Sequence, residues 1–142
     1  MRATAIIPNL QYEDAHAAIK WLCAAFGFEK ELVVPNEDES IAHAQLVLGK
    51  CMIMISSSNN GNAFDQLGLS VTPSQAGNRV TQSAYIVLDD EDMKYHYERA
   101  KDKGARILVD LKTEDYGGQG YTCADIEGHI WSFGSYDPWE TH

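Results

Sequence analysis

The sequence predicts an α+β fold: two tandem β-α-β-β-β modules whose curved sheets form a cup, with the helices on the outside of it. Three observations predict this. Each half of the chain carries four short β-type segments and one amphipathic helical stretch, in the same order. The halves align at a shift of about 77 residues, with Gly27 on Gly104 and Glu13 on Asp90. Few letters agree between them, so the repeat is one of pattern. Residues 57–82, rich in Ser, Asn and Gly, separate the halves and show no regular period.

The elements follow in order. Residues 4–10 are an isoleucine-rich run that reads as a strand, with Ile6 and Leu10 facing the helix. Tyr12-Glu13-Asp14 supplies an acidic helix start. Ile19, Leu22, Cys23 and Phe26 recur at helical spacing, and Gly27 stands where a terminal glycine turns left-handed. Residues 31–34, 41–48 and 51–56 read as strands, the last two joined by a hairpin at Gly49-Lys50. In the second half, residues 83–88 are a strand and Asp89-Asp90-Glu91-Asp92 begins a helix. Met93, Tyr97 and Ala100 form its apolar stripe, and Gly104 ends it. Strands follow at 105–109, 120–124 and 129–133, the last pair around Asp125-Ile126-Glu127-Gly128. The chain thus reads as one domain, 1–142, with module one at 3–56, a connector at 57–82 and module two at 83–137. So long a connector is either a linker or a flap over a cavity.

Composition narrows the function classes. The chain has 142 residues, 44% of them hydrophobic, enough to form a core without disulfides or structural metal. Cys23, Cys51 and Cys123 lack metal-ligand spacing and read as reduced, mostly buried thiols. No apolar stretch approaches the roughly 20 residues of a bilayer span, and the N-terminus lacks a signal-peptide core. The expected location is the cytoplasm. The net charge of −10, from 21 acidic and 11 basic residues, disfavours nucleic acid and would concentrate a cationic ligand.

Two motifs carry a family resemblance. Pro8-x-Leu10-x-Tyr12-x-Asp14-Ala15, continued by Ala18-Ile19-x-Trp21-Leu22-x-x-Ala25-Phe26-Gly27-Phe28, resembles the opening of glyoxalase/bleomycin-resistance/dioxygenase modules. So does Ile41-Ala42-His43-Ala44-Gln45-Leu46. Gly120-Tyr121-x-x-x-Asp125-x-Glu127-Gly128-His129-x-Trp131-Ser132-Phe133 resembles the family's closing strand pair. The resemblance implies a paired-module cup and a homodimer. In the family's metalloenzymes it also implies a His or Glu ligand on the first and last strand of each module.

Carried onto this chain, those ligand positions fall on Ile7, Ile53, Ser83 and Ser132. None is an imidazole or carboxylate, and a register error of one residue does not repair the set. No cofactor is therefore expected, a divalent metal remaining only as a relocated site. Of the histidines, His16 and His96 read as exposed helix residues, His129 as a turn residue and His142 as the terminus. His43 alone reads as a cup candidate.

Alternation assigns the cup lining. Asn9 and Gln11 in the first strand, Tyr85 in the fifth and Ser132 in the last face the cup, opposite Trp131 and Phe133. His43 and Gln45 join them in one hairpin register only: a two-residue turn pairs Leu46 with Ile53 and turns His43 away, and a three-residue turn reverses this. Tyr116 and Tyr121 flank the glycine-rich Gly117-Gly118-Gln119-Gly120, read as a mobile rim, and Tyr121 completes the ligand-binding set. Tyr136 and Trp139 read as a tail docked on the core, with closing the cup or packing an interface as the alternatives. The expected function is metal-free binding or sequestration of a small, cationic molecule. The alternatives are a metal-dependent lyase or dioxygenase with relocated ligands, and an interaction module whose cup is filled by side chains.

Overall fold

The computed structural model describes residues 1–58, 61 and 63–140. Its elements are β1 (Asn9–Tyr12), α1 (Ala15–Phe26), β2 (Glu29–Pro35), β3 (Ile41–Leu48), β4 (Cys51–Ser57), a short α2 (Ala63–Gln66), β5 (Ala84–Val87), α3 (Met93–Asp102), β6 (Arg106–Thr113), β7 (Gln119–Ala124) and β8 (Ile130–Gly134). They form two four-stranded sheets, β1-β4-β3-β2 and β5-β8-β7-β6. In each sheet the first strand lies parallel to the last and the other pairs are antiparallel. The connector is less featureless than its composition suggests: it holds α2 and a 3-10 turn at Ser74–Ala76.

The first strand starts later than its isoleucines predict. Residues 1–8 carry no strand. Ile6, expected against the helix, is 92% exposed. Pro8 is the physical reason, because it has no N–H to donate to a ladder. Its carbonyl still accepts from the Met54 N–H at 2.9 Å, and β1 pairs with β4 from Asn9 onward.

Helix α1 is held at both ends, partly by its own module and partly by the other. Asp14 caps it, its carboxylate accepting from the Ala17 N–H at 3.0 Å. Glu127, from the β7–β8 turn, accepts from the Glu13 and Asp14 N–H groups at 2.7 and 2.8 Å. At the other end Gly27 adopts φ +89° and its N–H returns to the Cys23 carbonyl. Arg99 of α3 donates to the Ala24 carbonyl at 2.7 Å and to the Cys23 carbonyl at 3.2 Å. A carboxylate thus meets the positive end of the α1 dipole and a guanidinium the negative end.

The apolar faces of both modules share one core. Phe26, the last residue of α1, packs its ring 4.8 Å from Phe133 and 5.4 Å from Trp131, both on β8. A buried polar group crosses the same boundary. The Asp125 carboxylate accepts from the Tyr12 hydroxyl at 2.6 Å, the Trp131 indole N–H at 3.0 Å, and the N–H groups of Glu127 and His129. Burial, and then the Asp125 charge, raise the Tyr12 phenol pKa well above its ordinary value.

Three expectations are corrected in the core. His96 is buried. Its Nε2–H donates to the Phe26 carbonyl at 2.9 Å, and its Nδ1 accepts from the Tyr121 hydroxyl at 2.7 Å. Helix periodicity places it one turn before Ala100, on the inner stripe. Tyr121, expected at the cup, is buried for the same reason: β7 turns Tyr121 and Cys123 inward together. Of the cysteines, Cys51 is exposed beside the hairpin, Cys23 is half-buried and only Cys123 is buried. Burial pushes the Cys123 thiol up to about 12.

Two measurements check this account. Arg99→Met strips α1 of its C-terminal partner and is expected to cost about 1–3 kcal/mol in urea denaturation, with the slope unchanged. His96 is held neutral, burial lowering its pKa from 6.5. Its contribution is fully present above 6.5 and is lost as pH falls from there through the lower folded value. Denaturation midpoints should therefore fall between pH 6.5 and the folded value, and His96→Gln should flatten that part of the curve.

Candidate functional site

Because α1 and α3 pack together beneath the two sheets, the face of each sheet away from its helix is left bare. Leu32 and Val34 of β2, Tyr85 and Val87 of β5 and Val109 of β6 are all exposed there. These faces, and a cleft at the module junction, are the candidate site.

On sheet one, Asn9 and Gln11 point outward, opposite Leu10 and Tyr12. Gln11 pairs with Ser56 and Asn9 with Met54. The hairpin is the two-residue form, with Leu48 against Cys51 and Leu46 against Ile53. His43 and Gln45 nevertheless face the cup, because Leu46 and Ile53 are both buried against the helix. The ligand position that the resemblance sets on Ile53 thus falls on the helix side, and its outward neighbour Met54 holds the place that Ser132 holds in sheet two. The His43 Nε2–H donates to the Gln45 side-chain oxygen at 2.8 Å, and the Gln45 amide donates to Glu31 at 2.9 Å.

On sheet two, Tyr85 pairs with Ser132, and Ser132 with Thr122. The Ser132 and Thr122 hydroxyls lie 2.8 Å apart. The Tyr85 ring lies across Gly134, where a Cβ would collide with the phenol oxygen. Its hydroxyl donates to the Tyr136 carbonyl at 2.8 Å. Tyr136 in turn packs edge-on against Tyr116, ring centres 4.8 Å apart. Burial raises the Tyr85 phenol pKa first, and the nearby Tyr116, Asp137, Glu114 and Tyr136 raise it further. The tail is not docked throughout: Tyr136 covers sheet two, but Trp139 is 93% exposed.

The cleft, about 390 Å³, is lined by Ile7, Asn9 and Gln11, by connector residues including Arg79, by Ser83 just before β5, and by His129. The connector reaches the outward side of β1, Ser70 donating to the Gln11 side-chain oxygen at 2.9 Å. His129 donates from Nε2 to the Gln11 carbonyl at 2.8 Å, which leaves Nδ1 an acceptor. The structure therefore divides the expected site residues. Asn9 and Gln11 share the cleft, His43 and Gln45 lie on one sheet, Tyr85 and Ser132 on the other, and Tyr121 belongs to the core. Sequence reasoning set Tyr116 on the glycine-rich rim without counting it a site residue, and missed Arg79 and the cleft position of His129. Only His129 carried a signal, its place in the closing motif. His142 lies outside the described residues.

Fold and site together define a paired-module protein with an open cup face on each sheet. The family model described as Glyoxalase/Bleomycin resistance protein/Dioxygenase superfamily matches residues 5–133, and the chain belongs to that superfamily. An uncharacterised protein of Mycobacterium bovis is 29% identical over 132 residues, covering 92% of this chain and 82% of that one. Among solved structures, TioX from Micromonospora sp. ML1 is similar at 26% identity and a TM-score of 0.67, covering 93% and 98% of the two chains. A fosfomycin resistance protein, FosX, from Listeria monocytogenes, complexed with Mn(II) and a dihydroxypropylphosphonic acid, shares the fold at 13% identity and a TM-score of 0.68, with 97% and 94% covered.

The family's metal does not fit this chain. Ile7 and Ser83 line the cleft, Ser132 is a hydroxyl and Met54 a thioether. Among the described residues no three His, Cys, Asp or Glu side chains converge, whereas first-row metals need such donors. Untagged protein incubated with Zn, Ni, Mn or Fe(II) and then dialysed is expected to retain well under one metal per chain by elemental analysis.

Proposed function

We propose that this chain binds a small molecule without a metal, in a cup that a second copy of the chain completes. The observation that carries the reading is the chemistry of the outward faces: they present amides, hydroxyls, tyrosine rings and apolar side chains, and Ile7, Met54, Ser83 and Ser132 stand where the family's metalloenzymes place ligands. Such a surface orients a ligand by hydrogen bonds and stacking.

Tyr85, Tyr116 and Tyr136, with Glu114 and Asp137 close by, favour a cationic aromatic ligand, held over electron-rich rings. Sequestration of such a compound needs affinity alone. A metal-dependent lyase or dioxygenase with relocated ligands would have to start from His43, whose hydrogen-bond chain ends at Glu31.

The same faces support a homodimer. Each chain leaves two apolar sheet faces bare, and a two-fold axis would bring sheet one of each copy against sheet two of the other. Their charges are complementary. The edge strand of sheet one, with Glu29, Lys30 and Glu31, is net acidic, whereas that of sheet two, with Arg106, Asp110 and Lys112, is net basic. Among the described residues no helix is long and apolar enough to cross a membrane, and the reading places the dimer in the cytoplasm.

Sedimentation should give a dimer, and Val109→Glu should yield monomers. In thermal-shift assays benzyltrimethylammonium should raise the melting temperature of the native chain, by the equivalent of about 2.7 kcal/mol at a hundred times its Kd. Tyr85→Ser should abolish that shift. A dimer with no shift for any aromatic cation would sink the ligand class, and one tightly held metal per chain, lost in His43→Ala, would establish the lyase or dioxygenase reading.

A further inference from the structure

The cleft at the module junction has a sign that the whole chain does not. The protein carries a net charge of −10 with 21 acidic residues, yet none of the residues lining the cleft is Asp or Glu. Its single full charge is Arg79, which makes no hydrogen bond or ion pair among the described residues. Glu13, just before α1, has its carboxylate engaged by the hydroxyls of Thr72, which lines the cleft, and Ser74.

The uncharged groups have the same bias. The Gln11 side-chain oxygen is occupied by Ser70, so the amide offers the cleft its N–H bonds. Those hydrogens have no protein acceptor among the described residues and are not sealed from solvent. Beside these donors lie apolar groups that the fold leaves uncovered: Ile7 is 40% exposed, and Val80 is half-buried next to Arg79. At about 390 Å³ the cleft has the volume of a small-ligand site.

We propose that this cleft binds a small organic anion with an apolar body, its carboxylate or phosphate paired with the Arg79 guanidinium and hydrogen-bonded by the Gln11 amide, its body against Ile7 and Val80. A guanidinium facing an oxyanion makes two parallel charge-assisted bonds, and the missing carboxylates remove the competitor that such a cation would otherwise find. The inference stands apart from the cationic ligand of the cup, because it rests on different residues and the opposite charge.

Calorimetry with a matched set of probes tests it. Naphthoate, naphthyl phosphate and naphthylmethylammonium share one ring system and differ in head group. The two anions are expected to bind at one per chain, and Arg79→Gln should weaken them about tenfold or more, in line with the loss of a charge-assisted pair. Lys20→Gln on α1 changes the net charge equally and should leave them unaffected, as should Tyr85→Ser. If only one anion binds, that result selects between carboxylate and phosphate. Arg79 is exposed and unpartnered, so its replacement does not threaten folding. The proposal is overturned if neither anion binds, if Arg79→Gln binds them as the native chain does, if Lys20→Gln weakens them equally, or if Tyr85→Ser abolishes them.

Discussion

The arrangement depends on how module two holds the first helix. Glu127 supplies acceptors for the N–H groups at the start of α1, and Arg99 supplies donors for the carbonyls at its end. A helix leaves such groups unpaired at both termini, and here part of the remedy comes from residues more than seventy positions away. The same turn that carries Glu127 carries Asp125, which takes the Tyr12 hydroxyl and the Trp131 indole. Removing any one partner would leave a buried charge or dipole with less than its complement, which costs more than the bond itself contributes. The modules are therefore fixed to each other by directional contacts as well as by the aromatic packing of Phe26, Trp131 and Phe133.

That lock determines what is left over. With both helices committed to a common core, the outward face of each sheet has nothing from its own chain to cover it, except where Tyr136 and the connector lean on it. Exposed Leu32, Val34, Val87 and Val109 follow from this arrangement rather than from a lapse in patterning. Bare apolar faces of opposite edge charge suit a second copy, and a small ligand between them would be surrounded on two sides. The cleft at the junction has a different origin: the connector passes over β1, and its one arginine stands in a lining that holds no carboxylate. Net charge described the surface as a whole and misjudged this one place, since local potential follows the nearest groups.

Most of the fold was legible in the sequence. Period-two and period-three-to-four patterns, the glycines at 27 and 104, the hairpin at Gly49-Lys50 and the acidic helix starts are local features, and local features read correctly. The inward set of β8 and β5 followed from alternation, as did the outward positions of Tyr85 and Ser132. The failures share a cause. Ile6 has the hydrophobicity of a core residue but lies beyond the reach of the sheet, because Pro8 cannot continue the ladder. The family position that falls on Ile53 would face the cup, but the shared burial of Leu46, Ile53 and Ile55 puts that side of the hairpin on the helix. His96 and Tyr121 have polar atoms that suggest solvent, yet each satisfies the other inside the core.

The sequence by itself determined the element order, the duplicated module, the family and the absence of usual metal donors from the expected positions. These depend on residue type and spacing along the chain. Only the tertiary structure decided which polar groups are functional candidates and which are structural. Asp125, Glu127 and His129 stand in one short motif, but the first two hold the modules together and the third borders a cleft. Arg79 has no neighbour in sequence that marks it out. Its significance comes from the side chains that folding gathers around it and from the carboxylates that folding keeps away, and no pattern along the chain encodes either.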